Sequence, residues 1–363
     1  MKQGSNTHSK TGIILRFLLI LGAAFFLFVL DVFKGSVDIP LERVLGILFS
    51  PAEWLSETGG LSLEQTGQRD IILLFRLPRA VTALLAGMGL ALSGLFMQTL
   101  FRNPLAGPSV LGINAGANLG VAVVVLLMGG AAGGFVAALP FGMKALVTGA
   151  AVFGAGAVLG VVLLVSRFIG SVTLLLLVGL MFGYLANSLV TLLIHFSAAG
   201  RVQAYLQWTF GSFGATIWND IYIMMPVIGA AILLGILLIK PLNALLLGEE
   251  YARSMGVALI RVRMTVIVVG ALLAGVVTAF CGPVTFVGVA VPHLARGIFR
   301  TADHRTVVPA SLLLGGVTAL TADIVSHLPG QGGILPLNSV TALLGVPVVV
   351  WVLIRSRAGR SFI

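Results

Sequence analysis

The chain has 363 residues, 58% of them hydrophobic and only 9% charged, with a mean hydropathy of +1.10. Soluble domains carry roughly 25% charged residues, so this composition cannot clothe a protein in water and excludes a soluble globular fold. The formal net charge of +10 fits basic residues flanking membrane spans, and no nucleic-acid partner is expected.

Only helices and closed barrels satisfy the backbone inside a lipid bilayer. The apolar runs here are continuous and near the roughly 20 residues a helix needs to cross a core of about 30 Å. The expectation is an all-α polytopic membrane protein with about ten transmembrane helices, folded as one transmembrane domain over residues 1–363.

Lys2 and Lys10 precede the first run, Thr11–Val32. The run is long for a signal peptide, and "LDVFKGSVD" offers no small-residue cleavage pattern, so it reads as an uncleaved span. The spans expected are Gly12–Phe33, Pro78–Phe101, Ala106–Met128, Lys144–Val165, Ser171–Phe196, Ile221–Ile239, Arg263–Cys281, Pro283–Ile298, Val307–His327 and Ser339–Ile354. The eighth is short and contains Pro292, which predicts a tilted or partial crossing.

Between the first two spans, residues 34–77 form an outer amphipathic segment with a surface helix around "LERVLGILF". The link Ser197–Asp220 carries Trp208, Phe210, Phe213 and Trp218, aromatic residues suited to the headgroup level. Most of the 22 lysines and arginines fall on the side of the N-terminus, which places both termini in the cytoplasm.

Several spans are interrupted by Pro and Gly, in "RNPLAGPSVLG" (Arg102–Gly112), "CGPVTFVG" (Cys281–Gly288) and "AVPHLARG" (Ala290–Gly297). Broken helices at membrane depth must line a cavity or be buried in protein, which favours transport over a membrane scaffold. "ALLAGMGLALSG" (Ala83–Gly94) and "ALLAGVVTAFCG" (Ala271–Gly282) read either as an inverted repeat or as the chance recurrence of small residues in apolar helices. Asp323 and His327 can pair across one helical turn, as a structural contact or as part of a proton relay. His195, His293, His304 and His327 are scattered without metal-ligand spacing, and Cys281 has no partner for a disulfide.

No phosphate-binding loop, zinc motif or nucleophile elbow occurs. The chain is expected to be no enzyme and to hold no cofactor of its own. Mid-membrane acids are few for a gradient-driven secondary transporter, which stands as the alternative; the balance favours a separate motor.

The charged stretch "LLLGEEYARSMGVALIRVR" (Leu245–Arg263) takes up most of the cytoplasmic loop 241–261 and ends where the seventh span begins. Glu249 and Glu250 suit a helix N-terminus and Gly256 suits a helix end, predicting a short helix from about Glu249 to Met255. Its residues permit a docking element or a plain connector.

Together "RLPRAVTALLAGMGLALSGLFMQTLFRNPLAGPSVLGINAGANLG" (Arg76–Gly120), "GEEYARSMGV" (Gly248–Val257), "GPVTFVGVAVPHLAR" (Gly282–Arg296), "DHR" (Asp303–Arg305), "TADIVSH" (Thr321–His327) and "LPLNSVTALLGVPVVVWVL" (Leu335–Leu353) resemble the permease subunit of type II ABC importers. That family moves ferric siderophores, haem and vitamin B12. The resemblance implies a fold like that of a vitamin B12 importer permease, working as a pair in the bacterial cytoplasmic (inner) membrane. It implies two ATPase subunits that bind ATP and Mg beneath the pair, and an extracytoplasmic solute-binding protein outside. By the same resemblance, Gly248, Glu249, Glu250, Ala252, Arg253 and Gly256 form the loop that contacts the ATPase. Arg76 and Arg79 meet carboxylates of the binding protein, and Ser171 and Thr173 match the cytoplasmic gate. An iron chelate, a ferric siderophore first, is the expected cargo. Ile334 stands where many members carry an acid before the late "LP", so a third docking contact is not implied.

Overall fold

The computed structural model describes residues 4–35, 37, 39–49, 63–128, 142–168, 171–329 and 333–357. Every regular element among them is helical. Seven helices are long and apolar enough to cross a membrane, and three shorter apolar helices, Ile113–Leu127, Val287–Phe299 and Leu337–Trp351, accompany them. These match the ten expected spans in order.

The first span is α1 (Gly4–Phe33) and the expected surface helix is α2 (Leu41–Phe49). Residues 50–62 of the expected outer segment lie outside the described residues. The next helix starts earlier than the sequence suggests. α3 (Leu63–Asp70) continues through a π-helical turn, Ile71–Arg76, into α4 (Leu77–Phe101). Pro78 reads as a helix start because it lacks an N–H and its ring crowds the carbonyl one turn back. The widened π turn just before it absorbs that defect, so the helix runs on.

The third span starts later than expected. Arg102 closes α4 in the left-handed conformation (φ 45°), and Gly112 (φ 75°) precedes α5 (Ile113–Ala122, extended by a π turn, Val123–Met128). The two prolines between them keep residues 103–112 irregular apart from a 3-10 turn, Pro108–Leu111. Hydropathy alone registers this segment as span because Ala106, Pro108 and Leu111 are buried, though in protein.

The remaining elements are α6 (Gly142–Ser166), α7 (Val172–His195), α8 (Ala199–Thr209), α9 (Trp218–Leu237), α10 (Ile239–Leu246), α11 (Glu249–Ser254), α12 (Leu259–Cys281), α13 (Val287–Phe299), α14 (His304–Ser326) and α15 (Leu337–Arg357). The eighth span is indeed partial: the 13 residues of α13 rise only about 20 Å. Of the four aromatic residues expected at the headgroup level, Phe213 is instead fully buried in the core.

α4 is the hub of the bundle, packed by α14, α12, α13 and α9. Its partners approach through small residues. A Cβ on Gly94 would lie 1.7 Å from the Gly288 oxygen, and one on Gly87 would lie 2.2 Å from the Gly315 oxygen. Without a hydrophobic drive between helices in lipid, such backbone proximity supplies the packing. Thr99 meets His304 while Gly87 meets Gly315 and Ala319, so α4 and α14 are antiparallel. Ser93 donates to the Gly270 carbonyl (2.6 Å) while Gly89 meets Leu273 and Val277, so α4 and α12, which carry the two similar segments, are antiparallel as well.

Candidate functional site

The helix directions sort the polar residues onto two ends of the bundle. One end gathers the C-terminus of α4, the N-termini of α12 and α14, and α10–α11. The opposite end gathers the C-termini of α1 and α14 and the N-terminal half of α4.

At the first end, α11 spans Glu249–Ser254, within a residue of the helix predicted. Gly248 (φ 122°) opens it and Gly256 (φ 79°) closes it. The Gly256 N–H donates to the Arg253 carbonyl (3.0 Å) and the Val257 N–H to the Ala252 carbonyl (3.0 Å). That is the paired bond pattern of a Schellman stop, which only a left-handed residue permits cheaply. Glu249 and Glu250 sit in the first turn and Arg253 in the last, matching the helix dipole. Ala252 is buried, while Tyr251, Arg253, Ser254 and Met255 are exposed. Glu249 reaches Arg263 on α12 at 3.7 Å. The helix thus rests on the bundle through Ala252 and presents a polar face with two large side chains outward.

At the opposite end the arginines depart from expectation. Arg76 and Arg79 are only 4% and 6% exposed. Arg76 donates to the carbonyls of Val32 (3.2 Å), Phe33 (2.6 Å) and Val37. Arg79 donates to the carbonyls of Asp31 (2.7 Å) and Lys34 (2.9 Å), lies 3.3 Å from the Asp31 carboxylate, and sits 2.9 Å from that of Asp323 through Nε. In this conformation neither guanidinium reaches the surface. The carboxylates Arg79 meets belong to its own chain, so it braces α1, α4 and α14. The reason is the segment after α1, whose carbonyls fold over both arginines. His327 lies 3.6 Å from Asp323, so the expected one-turn pair forms, as part of this structural cluster.

Ser171 caps α7, accepting from the Leu174 N–H (3.4 Å), and Thr173 is exposed in the first turn. Thr173 begins a feature that reading for motifs missed. Thr173, Leu177, Met181, Tyr184, Ser188, Thr191 and His195 follow one another at spacings of three and four, and all are exposed. They form one stripe along a hydrophobic helix, since such spacings share a helical face. Past its first turn, the exposed large side chains of α9, including Ile223, Met225, Leu233 and Leu237, are apolar apart from Tyr222. α9 therefore suits lipid, whereas hydroxyls and an imidazole on α7 suit water or a protein neighbour. The spacing is legible in the sequence; that this face lacks a neighbour among the described residues of the chain is not.

This contrast gives a direct test. Cysteines at Ser188 and Thr191 should react with a membrane-impermeant thiol reagent in the assembled protein, while Leu233→Cys stays protected. The background is low because Cys281 is buried. Equal protection at all three positions would remove the aqueous reading of the stripe.

The described residues thus give a bundle of ten long or shorter apolar helices, irregular backbone buried between them, a partly polar stripe and an external charged helix. The sequence profile of the FecCD transport family matches residues 22–355. This chain belongs to the FecCD transport family. It is similar to the vitamin B12 import system permease protein BtuC of Klebsiella pneumoniae subsp. pneumoniae, 37% identical over 314 residues that cover 86% of this chain and 87% of that relative. The protein of the same name from Salmonella typhimurium is 35% identical over 307 residues, covering 85% of this chain and 88% of the relative. Its fold matches that of a metal-chelate type ABC transporter solved in an inward-facing conformation, with a TM-score of 0.78 at 24% identity over 93% of this chain and 98% of the other. The FecCD chain is accordingly a multi-pass membrane permease, a transport component whose ATPase is a separate subunit.

Proposed function

We propose that this chain forms one half of a homodimeric translocation pathway that imports a large metal chelate across the bacterial cytoplasmic membrane. The observation that carries the reading is the partly polar stripe on α7, which holds no acid, lysine or arginine. A pathway lined by hydroxyl, thioether and aromatic groups lets a bulky chelate pass without trapping it electrostatically. A second copy facing the stripe would enclose it.

The α11 end faces the cytoplasm in this reading, together with both termini. Two ATPase subunits dock there, supply the ATP and Mg sites, and leave the permease with no cofactor of its own. Gly248, Glu249, Glu250, Ala252, Arg253 and Gly256 constitute the coupling helix, and Ser171 and Thr173 gate the pathway at the same end. An extracytoplasmic binding protein docks on the opposite end. Arg76 and Arg79 serve that contact by holding α1, α4 and α14 in place, because both guanidiniums are buried against carbonyls and carboxylates of their own chain.

For cargo, the names of the relatives move cobalamin ahead of the ferric siderophore expected from sequence, with haem third. Competition for ATP-driven uptake among cyanocobalamin, a ferric siderophore and haemin, in proteoliposomes holding the complete importer, separates the three. Uptake driven by a proton or sodium gradient without ATPase would overturn the reading.

Glu249→Gln/Glu250→Gln tests the coupling helix. Glu249 is half-exposed and its ion pair long, so folding should change by only about 0–1 kcal/mol. Losing charges that a partner recognises should reduce ATP-driven uptake by roughly tenfold or more. A double variant that binds the ATPase and transports normally would remove this role.

A further inference from the structure

Glu249–Arg263 joins the coupling helix to α12 alone, across 3.7 Å and near solvent. A second connection, exposed at Asp303 and buried at Thr99, leads elsewhere. Asn243 on α10 donates from Nδ2 to Asp303 Oδ1 (2.6 Å). Its Oδ1 accepts from the His304 backbone N–H (2.9 Å) and lies 2.8 Å from His304 Nδ1. On its far side the His304 ring places Nε2 2.9 Å from Thr99 Oγ1 on α4. His304 is 1% exposed and Thr99 6%. Close by, the Arg102 guanidinium donates to the Leu245 carbonyl (3.3 Å), tying the end of α4 to α10 a second time.

The protons in this chain have one consistent assignment. Asn243 is oriented by both neighbours, since a carboxylate needs a donor and a backbone N–H needs an acceptor. Its Oδ1 therefore faces Nδ1, which must carry a hydrogen. A neutral ring then leaves Nε2 as acceptor, so Thr99 donates its only hydroxyl hydrogen to it in place of the Leu95 carbonyl, 2.9 Å away. Asp303 anchors the other end. Burial acts to raise its pKa, but the Arg305 N–H and the Asn243 amide outweigh this and hold the carboxyl below its usual range, ionised and accepting.

We infer that Asn243, His304 and Thr99 form a positioning relay that makes α4 and α14 move with α10–α11 when the coupling helix is displaced. The inference rests on the coupling reading of α11 proposed above. Its physical basis is directional. Each bond is short and lies between different helices, two of the three residues are buried, and an unmade bond leaves a buried polar group without a partner. The relay ends on the helix pair at the centre of the bundle, where α4 is packed by α9, α12, α13 and α14. Displacement of α10 that left α14 behind would have to break at least three of these bonds.

The test uses the complete importer, with ATPase and binding protein, in proteoliposomes, and reads uptake and ATP hydrolysis separately. Thr99→Val keeps shape and removes the donor. Uptake per ATP should fall by roughly two- to thirtyfold while basal hydrolysis and yield stay near wild type. Thr99→Ser should restore the ratio. His304→Asn keeps the Asn243 side of the relay and His304→Gln the Thr99 side; both should uncouple. An unchanged ratio in Thr99→Val, or equal losses of uptake, hydrolysis and folded yield in all three variants, would overturn the relay. If Glu249→Gln/Glu250→Gln uncouples while Thr99→Val does not, the relay fails alone. If neither uncouples, the coupling reading of α11 fails with it.

Discussion

Arg79→Ala is expected to cost the folded protein about 3–5 kcal/mol, the penalty for removing one partner of a buried ion pair. Arg79 is the only cation within 3.5 Å of the Asp31 carboxylate among the described ion pairs and the closest to Asp323. Both acids are essentially unexposed. Without the guanidinium, the carboxyl groups of α1 and α14 are left close together in a poorly solvated place, and the carbonyls of Asp31 and Lys34 lose their donor. The yield of monodisperse protein after detergent extraction and its thermal midpoint should both drop. Restoring neutrality should help: Arg79→Leu combined with Asp31→Asn and Asp323→Asn should recover much of the loss, because apolar or neutral replacements of a whole buried cluster are often tolerated. A residue used only for docking would behave differently. Its alanine variant would fold normally and lose partner binding alone, and that outcome would remove the bracing role of Arg79.

Gly94→Ala should be as damaging through sterics alone. Its Cβ would stand 1.7 Å from the Gly288 oxygen, with the Gly288 carbon at 2.4 Å. The obstruction is backbone, which cannot rotate aside as a side chain can. α4 and α13 must separate, and α13 is pinned on its other faces by α14 and α15. Overpacking usually costs about 1–3 kcal/mol, and a backbone clash at a helix crossing lies at or above the top of that range. Gly156→Ala on α6 is the matched control, since nothing lies within 4 Å of the added methyl. It should be neutral or stabilise by up to about 1 kcal/mol through helix propensity. Equal behaviour of the two variants in a thermal melt would show that the α4–α13 approach is looser than 1.7 Å implies.

The number and order of the helices were legible because each span must be apolar along its whole length, and that is a local property. The short charged helix was legible for a similar reason: Glu249 and Glu250 at one end and Gly256 at the other are neighbours in sequence, and helix ends are set by neighbours. The break at residues 102–112 was legible as proline and glycine but not as a lost turn of α5, since buried loop and buried helix have the same hydropathy. The start of α3–α4 was misplaced because Pro78 stops an ordinary helix and only a π turn admits it.

The site divides in the same way. Thr173 and Ser171 could be named from their place in a family pattern, but the stripe they begin is defined by what does not touch it. Arg76 and Arg79 could be picked out as charges beside a span, yet their partners come from α1, α14 and the segment that follows α1. Asn243, His304 and Thr99 carry no signal singly: each is an ordinary polar residue near a helix end. The sequence by itself determined that this chain lives in a bilayer, crosses it about ten times and exposes one charged helix, because solvation and helix capping act on residues close along the chain. Which arginine is buried, which helix face stays open and which polar groups meet was decided only by tertiary packing. Those pairings join residues distant in sequence, and their energies depend on the distances and burial that the assembled helices impose.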